Sequence, residues 1–182
     1  MKAQRFISSF RPLGKVVDDQ LEVKHKLSTK TTDKVILLVE DNPDDRELAL
    51  LAFKEANITN KIIVCCDGEE ALDYLFATGA YADRDVRIMP EVMLLDLKLP
   101  KVDGFEVLKR VREDPRTKLL PIVILTTSSE QKDLVKSYQL GTNSYIRKPV
   151  DFGKFIEFAH QFGLYWLVLN ESPIRRGIRR EN

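Results

Sequence analysis

Five apolar runs alternate with amphipathic stretches along this chain, and no other feature limits the fold so strongly. Val35-Ile36-Leu37-Leu38-Val39 is continuous, apolar and rich in β-branched residues. That is the pattern of a strand buried on both faces. Similar runs lie at 61–65, 92–95 and 122–125, with a weaker one at 145–146. Between them, apolar residues recur at helical spacing. The helices predicted are 44–56 (Leu48, Leu51, Ala52), 69–77 (Leu72, Leu75, Phe76) and 104–113 (Phe105, Val107, Leu108, Val111). Two more are predicted at 129–140 (Leu134, Val135, Tyr138) and from Asp151 to about Leu169. Strands and helices in strict alternation imply (βα)5, a doubly wound parallel sheet covered on both faces.

Composition excludes several alternatives. Lys+Arg number 29 and Asp+Glu 28, a net charge of +1, so bulk charge gives no nucleic-acid signature. The balance is a cancellation. Residues 1–34 carry 8 − 4 = +4, residues 164–182 carry 4 − 2 = +2, and the body between them is +1 − 4 − 2 = −5. No apolar run approaches the roughly 20 residues of a membrane span, and no leader-like segment opens the chain. The two cysteines, Cys65 and Cys66, are adjacent and make no disulfide framework. They are expected at the end of strand two, one facing the core and one a helix. A cytoplasmic location follows as the expectation. Residues 1–33 read as a basic extension, 34–165 as the folded domain, and 166–182 as a helix end and basic tail. The extension has Phe6, Phe10, Leu13 and Val17 at helical spacing, broken by Pro12 and Gly14, and reads as a solvated arm. Arg175, Arg176, Arg179 and Arg180 read likewise.

In a doubly wound sheet, ligands bind beyond the carboxyl ends of the strands. Strand one ends in Glu40-Asp41, strand three in Asp96, strand four in Thr126 and strand five in Lys148-Pro149. Three carboxylates at one edge repel each other unless a cation intervenes, and oxygen ligands suit Mg²⁺. A hydroxyl and an ammonium beside them supply a donor and a positive charge for a transferred phosphoryl group. Asp can itself be the nucleophile. Asp103-Gly104 is simply a turn.

This set, with Leu94-Leu95-Asp96-Leu97-Lys98-Leu99-Pro100-Lys101-Val102-Asp103-Gly104 around the third acid, resembles the receiver domain of two-component response regulators over about residues 34–160. Val39-Glu40-Asp41-Asn42-Pro43-Asp44-Asp45, Gly79-Ala80-Tyr81-Ala82, Leu125-Thr126-Thr127-Ser128-Ser129, Lys148-Pro149-Val150-Asp151-Phe152 and Tyr165-Trp166-Leu167 make it similar to the small cyanobacterial-phytochrome-type regulators. The resemblance implies a flavodoxin-like sheet of order 2-1-3-4-5 with an extended C-terminal helix. It implies Asp96 as phosphoacceptor and also a Mg²⁺ ligand, with Asp41 on Mg²⁺ directly, Glu40 through water, and the backbone carbonyl of Lys98 as a further ligand. Lys148 would pair with Asp96 or its phosphate across a cis bond to Pro149. Thr126 would swing to the phosphoryl oxygens and Tyr145 would turn inward with it. Lys98 and Ser128 stand at positions that tune loss of the phosphoryl group, and Lys98 would slow it.

The partners implied are a sensor histidine kinase, of phytochrome type, or a phosphotransfer protein, and a second copy of the chain. Along the last helix, Phe152, Phe155, Ile156, Ala159 and Trp166 form a stripe expected on the sheet. Phe158, Phe162, Tyr165 and Leu169 form a second stripe, expected as a dimer seam on the face of helix four, strand five and helix five. No stretch is left for a DNA-binding output domain, and no chemistry beyond the protein's own phosphorylation is expected. The competing readings are a receiver that is never phosphorylated, an Asp-nucleophile phosphatase (which would present Asp-x-Asp after strand one), and a flavin carrier, whose phosphate Glu40-Asp41 would repel.

Overall fold

The computed structural model describes residues 34–173; the basic arm 1–33 and the four C-terminal arginines lie outside the described residues. The elements run β1 (Ile36–Val39), α1 (Pro43–Glu55), β2 (Ile62–Cys65), α2 (Gly68–Phe76), β3 (Val92–Leu95), α3 (Gly104–Glu113), β4 (Ile122–Thr126), α4 (Gln131–Gln139), β5 (Ser144–Arg147) and α5 (Phe152–Phe162). A short 3₁₀ turn, Gly79–Tyr81, sits in the α2–β3 connection. The sheet order is β2-β1-β3-β4-β5, all parallel, the flavodoxin-like order that the resemblance implied. The order reverses direction at β1/β3, so the crevice beyond Val39 and Leu95, which are paired in register, is where a ligand fits.

The strands β1, β3 and β4 are fully buried, and that explains their uninterrupted apolar sequences. β5 is an edge strand, only half-buried, so its signal is weak. One core layer gathers Leu37, Val39, Met93 and Leu95 against α2 and α3. The other gathers Ile36, Leu38, Val92 and Leu94 against α1 and α5. This is the strand alternation of a sheet packed on both faces. Four helices begin with a side-chain cap. Asn42 accepts from the amides of Asp44 and Asp45, Asp67 from Glu70, Asp103 from Glu106 and Asp151 from Lys154. Glu130, at the start of α4, makes no such bond.

The last helix departs from expectation. It is α-helical only to Phe162 and continues as a π-helical segment, Gly163–Leu169. Gly163 lies against Ile58, where a Cβ would be 3.0 Å from Cδ1. The wider turn places Leu167, five residues after Phe162, on the inward side with it, and both are buried. The inward face is Phe155, Ala159 and Phe162. Phe162 is therefore not part of an exposed seam; it is 3 % exposed, with its ring 5.6 Å from Phe53. Conversely Phe152, expected on the sheet, is 39 % exposed. Cys65 is buried, and Cys66 is exposed.

Candidate functional site at the carboxyl edge of the sheet

Burial of the strands dictates where the charges gather. β1 and β3 run out of apolar residues at Glu40 and Asp96, and these two side chains stay almost as buried as the strands themselves (2 % and 5 % exposed). Their backbones extend the sheet: the Glu40 amide donates to Cys65 O, and the Asp96 amide to Val39 O. Asp41 follows in the turn into α1 and is more open. The Arg46 guanidinium donates to the carbonyls of Glu40 (3.3 Å) and Asp41 (3.0 Å), fixing that turn. One carboxylate oxygen from each of Glu40, Asp41 and Asp96 lies within 4.8 Å of the others. Three hard oxygen ligands at such spacing fit Mg²⁺ or Mn²⁺.

Lys148 provides the opposite charge. Its side chain is 6 % exposed, and Nζ donates to Glu40 Oε2 (2.6 Å), Asp96 Oδ2 (2.7 Å) and Asp45 Oδ2 (2.8 Å). Burial works to lower the Lys148 pKa, but hydrogen bonds to Asp45, Asp96 and Glu40 together raise it above the ordinary lysine value. Glu40 moves the other way from a usual paired acid. Burial pushes its carboxyl up to about 7, against the lowering effect of Lys148. The Lys148 amide is anchored on Thr126 O at 2.9 Å. The described residues contain no cis peptide bond, so the expectation of a cis Lys148–Pro149 bond is not met; the ammonium reaches the acids from a trans bond.

Asp96 is held at both oxygens. Oδ1 accepts from the amides of Leu97 (2.6 Å) and Lys98 (3.3 Å), and Oδ2 takes Lys148. The Lys98 side chain is exposed. Thr126 is fully buried, and its hydroxyl accepts from the Ser128 amide at 3.3 Å. Ser128 is a junction: Oγ donates to Asp133 Oδ2 (2.6 Å), and its carbonyl accepts from the Tyr145 hydroxyl (3.1 Å). The Tyr145 ring packs against the α2/α3 core layer. Thr126 and Tyr145 are thus both hydrogen-bonded to Ser128. Phe158 is half-buried against the α1/α5 layer, while Tyr165 and Leu169 are 53 % and 64 % exposed.

Sequence reasoning missed Asp45 and Arg46 as site residues. An acid in the first turn of a helix is fully explained by the helix dipole, and the contact of Asp45 with Lys148 spans 103 positions.

The response regulator receiver domain family model matches residues 36–160. The chain is 40 % identical over 139 residues to the probable methanogenesis regulatory protein FilR2 of Methanothrix harundinacea, covering 76 % of this chain and 87 % of that one. It is 37 % identical over 140 residues to the response regulator Rcp1 of Synechocystis sp., covering 77 % and 93 %. The crystal structure of the Mn²⁺-bound form of Rcp1 superposes with a TM-score of 0.70 at 36 % identity, over 77 % of this chain and 99 % of that one. The phosphorylated cyanobacterial phytochrome response regulator RcpA gives 0.71 at 36 %, over 77 % and 98 %. The order of strands, the acids at the sheet edge and these matches agree: this chain belongs to the response regulator receiver domain family.

Proposed function

We propose that the protein is a stand-alone receiver that takes a phosphoryl group from a sensor histidine kinase, or a phosphotransfer protein, onto Asp96. One observation carries the reading: Lys148 Nζ lies 2.7 Å from Asp96 Oδ2 in a pocket whose other walls are Glu40 and Asp41. A carboxylate oxygen of Asp96 would attack phosphorus, the bond from phosphorus to the donor's imidazole nitrogen would break, and its electron pair would leave on that nitrogen. Glu40, Asp41, Asp96 and the Lys98 carbonyl would hold Mg²⁺, which would neutralise charge on the phosphoryl oxygens. Lys148 would then leave Glu40 and pair with the phosphate, and Thr126 would exchange its Ser128 amide partner for a phosphoryl oxygen. Tyr145, bonded to the same Ser128, would be freed to report the change on the face of α4, β5 and α5. Lys98, beside the pocket mouth, would retard attack by water.

The likeness to RcpA makes a phytochrome-type kinase the first donor to try. A second copy of the chain is the partner proposed for Phe158, Tyr165 and Leu169; with Phe162 in the core, Leu169→Glu is the informative variant. Loss of a sedimenting dimer in Leu169→Glu supports that seam, and an unchanged dimer removes it. For phosphorylation, acetyl phosphate and Mg²⁺ should add one phosphoryl mass to the wild-type chain and none to Asp96→Asn. An equal gain in both would exclude Asp96. Turnover of a generic phosphomonoester would favour the phosphatase reading instead.

A further inference from the structure

Lys101 sits at φ +60°, in the left-handed region that side chains other than Gly, Asn and Asp rarely adopt. The local turn accounts for it: Pro100 precedes Lys101, and the Val102 amide donates to Pro100 O, so Lys101 is the central residue of a three-residue turn; its ammonium then ties that turn to a second loop. Nζ lies 2.7 Å from Asp67 Oδ2 and 3.3 Å from Glu69 Oε2, so the β3–α3 loop is tied to the first turn of α2. Asp67 does two jobs, because its other oxygen caps α2 by accepting from the Glu70 amide at 2.8 Å. Burial works to raise the Asp67 pKa, but hydrogen bonds from Lys101 and from the amides of Glu70 and Glu69 hold it below the ordinary value.

The contact beneath this ion pair leaves no slack. A Cβ on Gly68 would collide with Val102 O and lie 2.8 Å from Val107 Cγ2. At the far end of the loop, a Cβ on Gly104 would collide with Asp96 O, and the Gly104 amide donates to Leu97 O at 3.0 Å. Within the loop, the Val102 amide closes a tight turn on Pro100 O at 2.7 Å. Residues 97–103 are therefore gripped at Gly104 by the backbone of Asp96 and at Lys101–Val102 by Asp67 and Gly68. Lys98, whose carbonyl is the proposed cation ligand, lies between the two grips.

We infer that Lys101 and Asp67 form a clamp that positions the Lys98 carbonyl for the divalent cation; they are positioning residues that touch neither cation nor phosphate. The inference rests on the reading of Glu40, Asp41 and Asp96 as a cation site. Coulomb effects alone give a different expectation, which makes the two separable. Removing the positive charge of Lys101 would strengthen cation binding, and removing the negative charge of Asp67 would weaken it. A broken clamp weakens binding in both cases.

The test is Mn²⁺ titration of the full chain as wild type, Lys101→Met and Asp67→Asn; Asn preserves the α2 cap. Amide exchange over residues 98–104 is followed in the same proteins without metal. The clamp predicts weaker Mn²⁺ binding in both variants, by about three- to five-fold as befits an ion pair with one exposed partner, with faster exchange at Val102 and Gly104. Affinities that move in opposite directions, or exchange unchanged in both variants, would overturn the clamp while leaving the cation site intact. A wild-type chain that binds no Mn²⁺ would overturn the cation reading itself.

Discussion

α3 and α4 are neighbours in sequence and similar in length, yet the chain holds them in different ways. α3 is capped by Asp103 and buries Gly104, Val107, Leu108 and Val111. α4 has no side-chain cap, buries only Ser137, and leaves Val135 and Tyr138 about half exposed. α3 follows the strand that ends in Asp96, and α4 follows the strand that ends in Thr126. The molecule is thus firm where charge is collected and light where a change would be read. Few buried contacts mean a low cost of local movement, and Ser128–Asp133 and Tyr145–Ser128 are the bonds through which Thr126 would bias it.

The contrast breaks most visibly by attack on the firm side. Leu108→Ala, which empties the place of α3 in the core, should cost about 2–5 kcal/mol in denaturant unfolding, whereas Val135→Ala on α4 should stay within about 0.5 kcal/mol. A large loss at Val135 would mean that α4 is better anchored than its burial implies.

Lys148→Met removes the cation shared by Glu40, Asp45 and Asp96 and should cost about 3 kcal/mol at neutral pH without metal. The loss should shrink in acid. Glu40, raised from 4.5 to about 7, favours folding below the unfolded value, and that contribution disappears as pH rises through 7. The same carboxyl must ionise to hold a divalent cation. Mn²⁺ affinity should therefore fall as pH drops below about 7, with proton release on binding at pH 6 in calorimetry; a flat profile from pH 6 to 8 would remove Glu40 from the site.

A smaller effect sharpens the comparison directly. Asp103→Ala should cost about 1 kcal/mol by loss of the α3 cap, while Glu130→Ala, which removes no cap bond, should be near neutral. Without denaturant, α4 amides should exchange before those of α3.

Much of this was legible in the chain, and the exceptions have physical causes. β1, β3 and β4 announce themselves because burial on two faces demands continuous apolar sequence, and each ends abruptly at a site residue. β5, half-buried at an edge, has no such demand. The last helix was misread at Phe162, which stands seven residues after Phe155 and so on the same α-helical face; beyond Gly163 the wider turn ends the 100° repeat and brings Leu167 inward. The residues that end strands were readable from topology alone. Asp45, Arg46 and the Lys101–Asp67 clamp were not, since each depends on a contact between distant loops or on a side chain whose local role already suffices.

The central claim is that Asp96 is the residue that receives the phosphoryl group. The most direct measurement is borohydride reduction after treatment with acetyl phosphate and Mg²⁺, which converts an acyl phosphate to an alcohol, followed by peptide mass mapping. The account predicts homoserine at position 96, dependent on Mg²⁺, and no other reduced residue. Reduction at another acid, such as Asp41 or Asp45, or none at all in a fully folded chain, would contradict it.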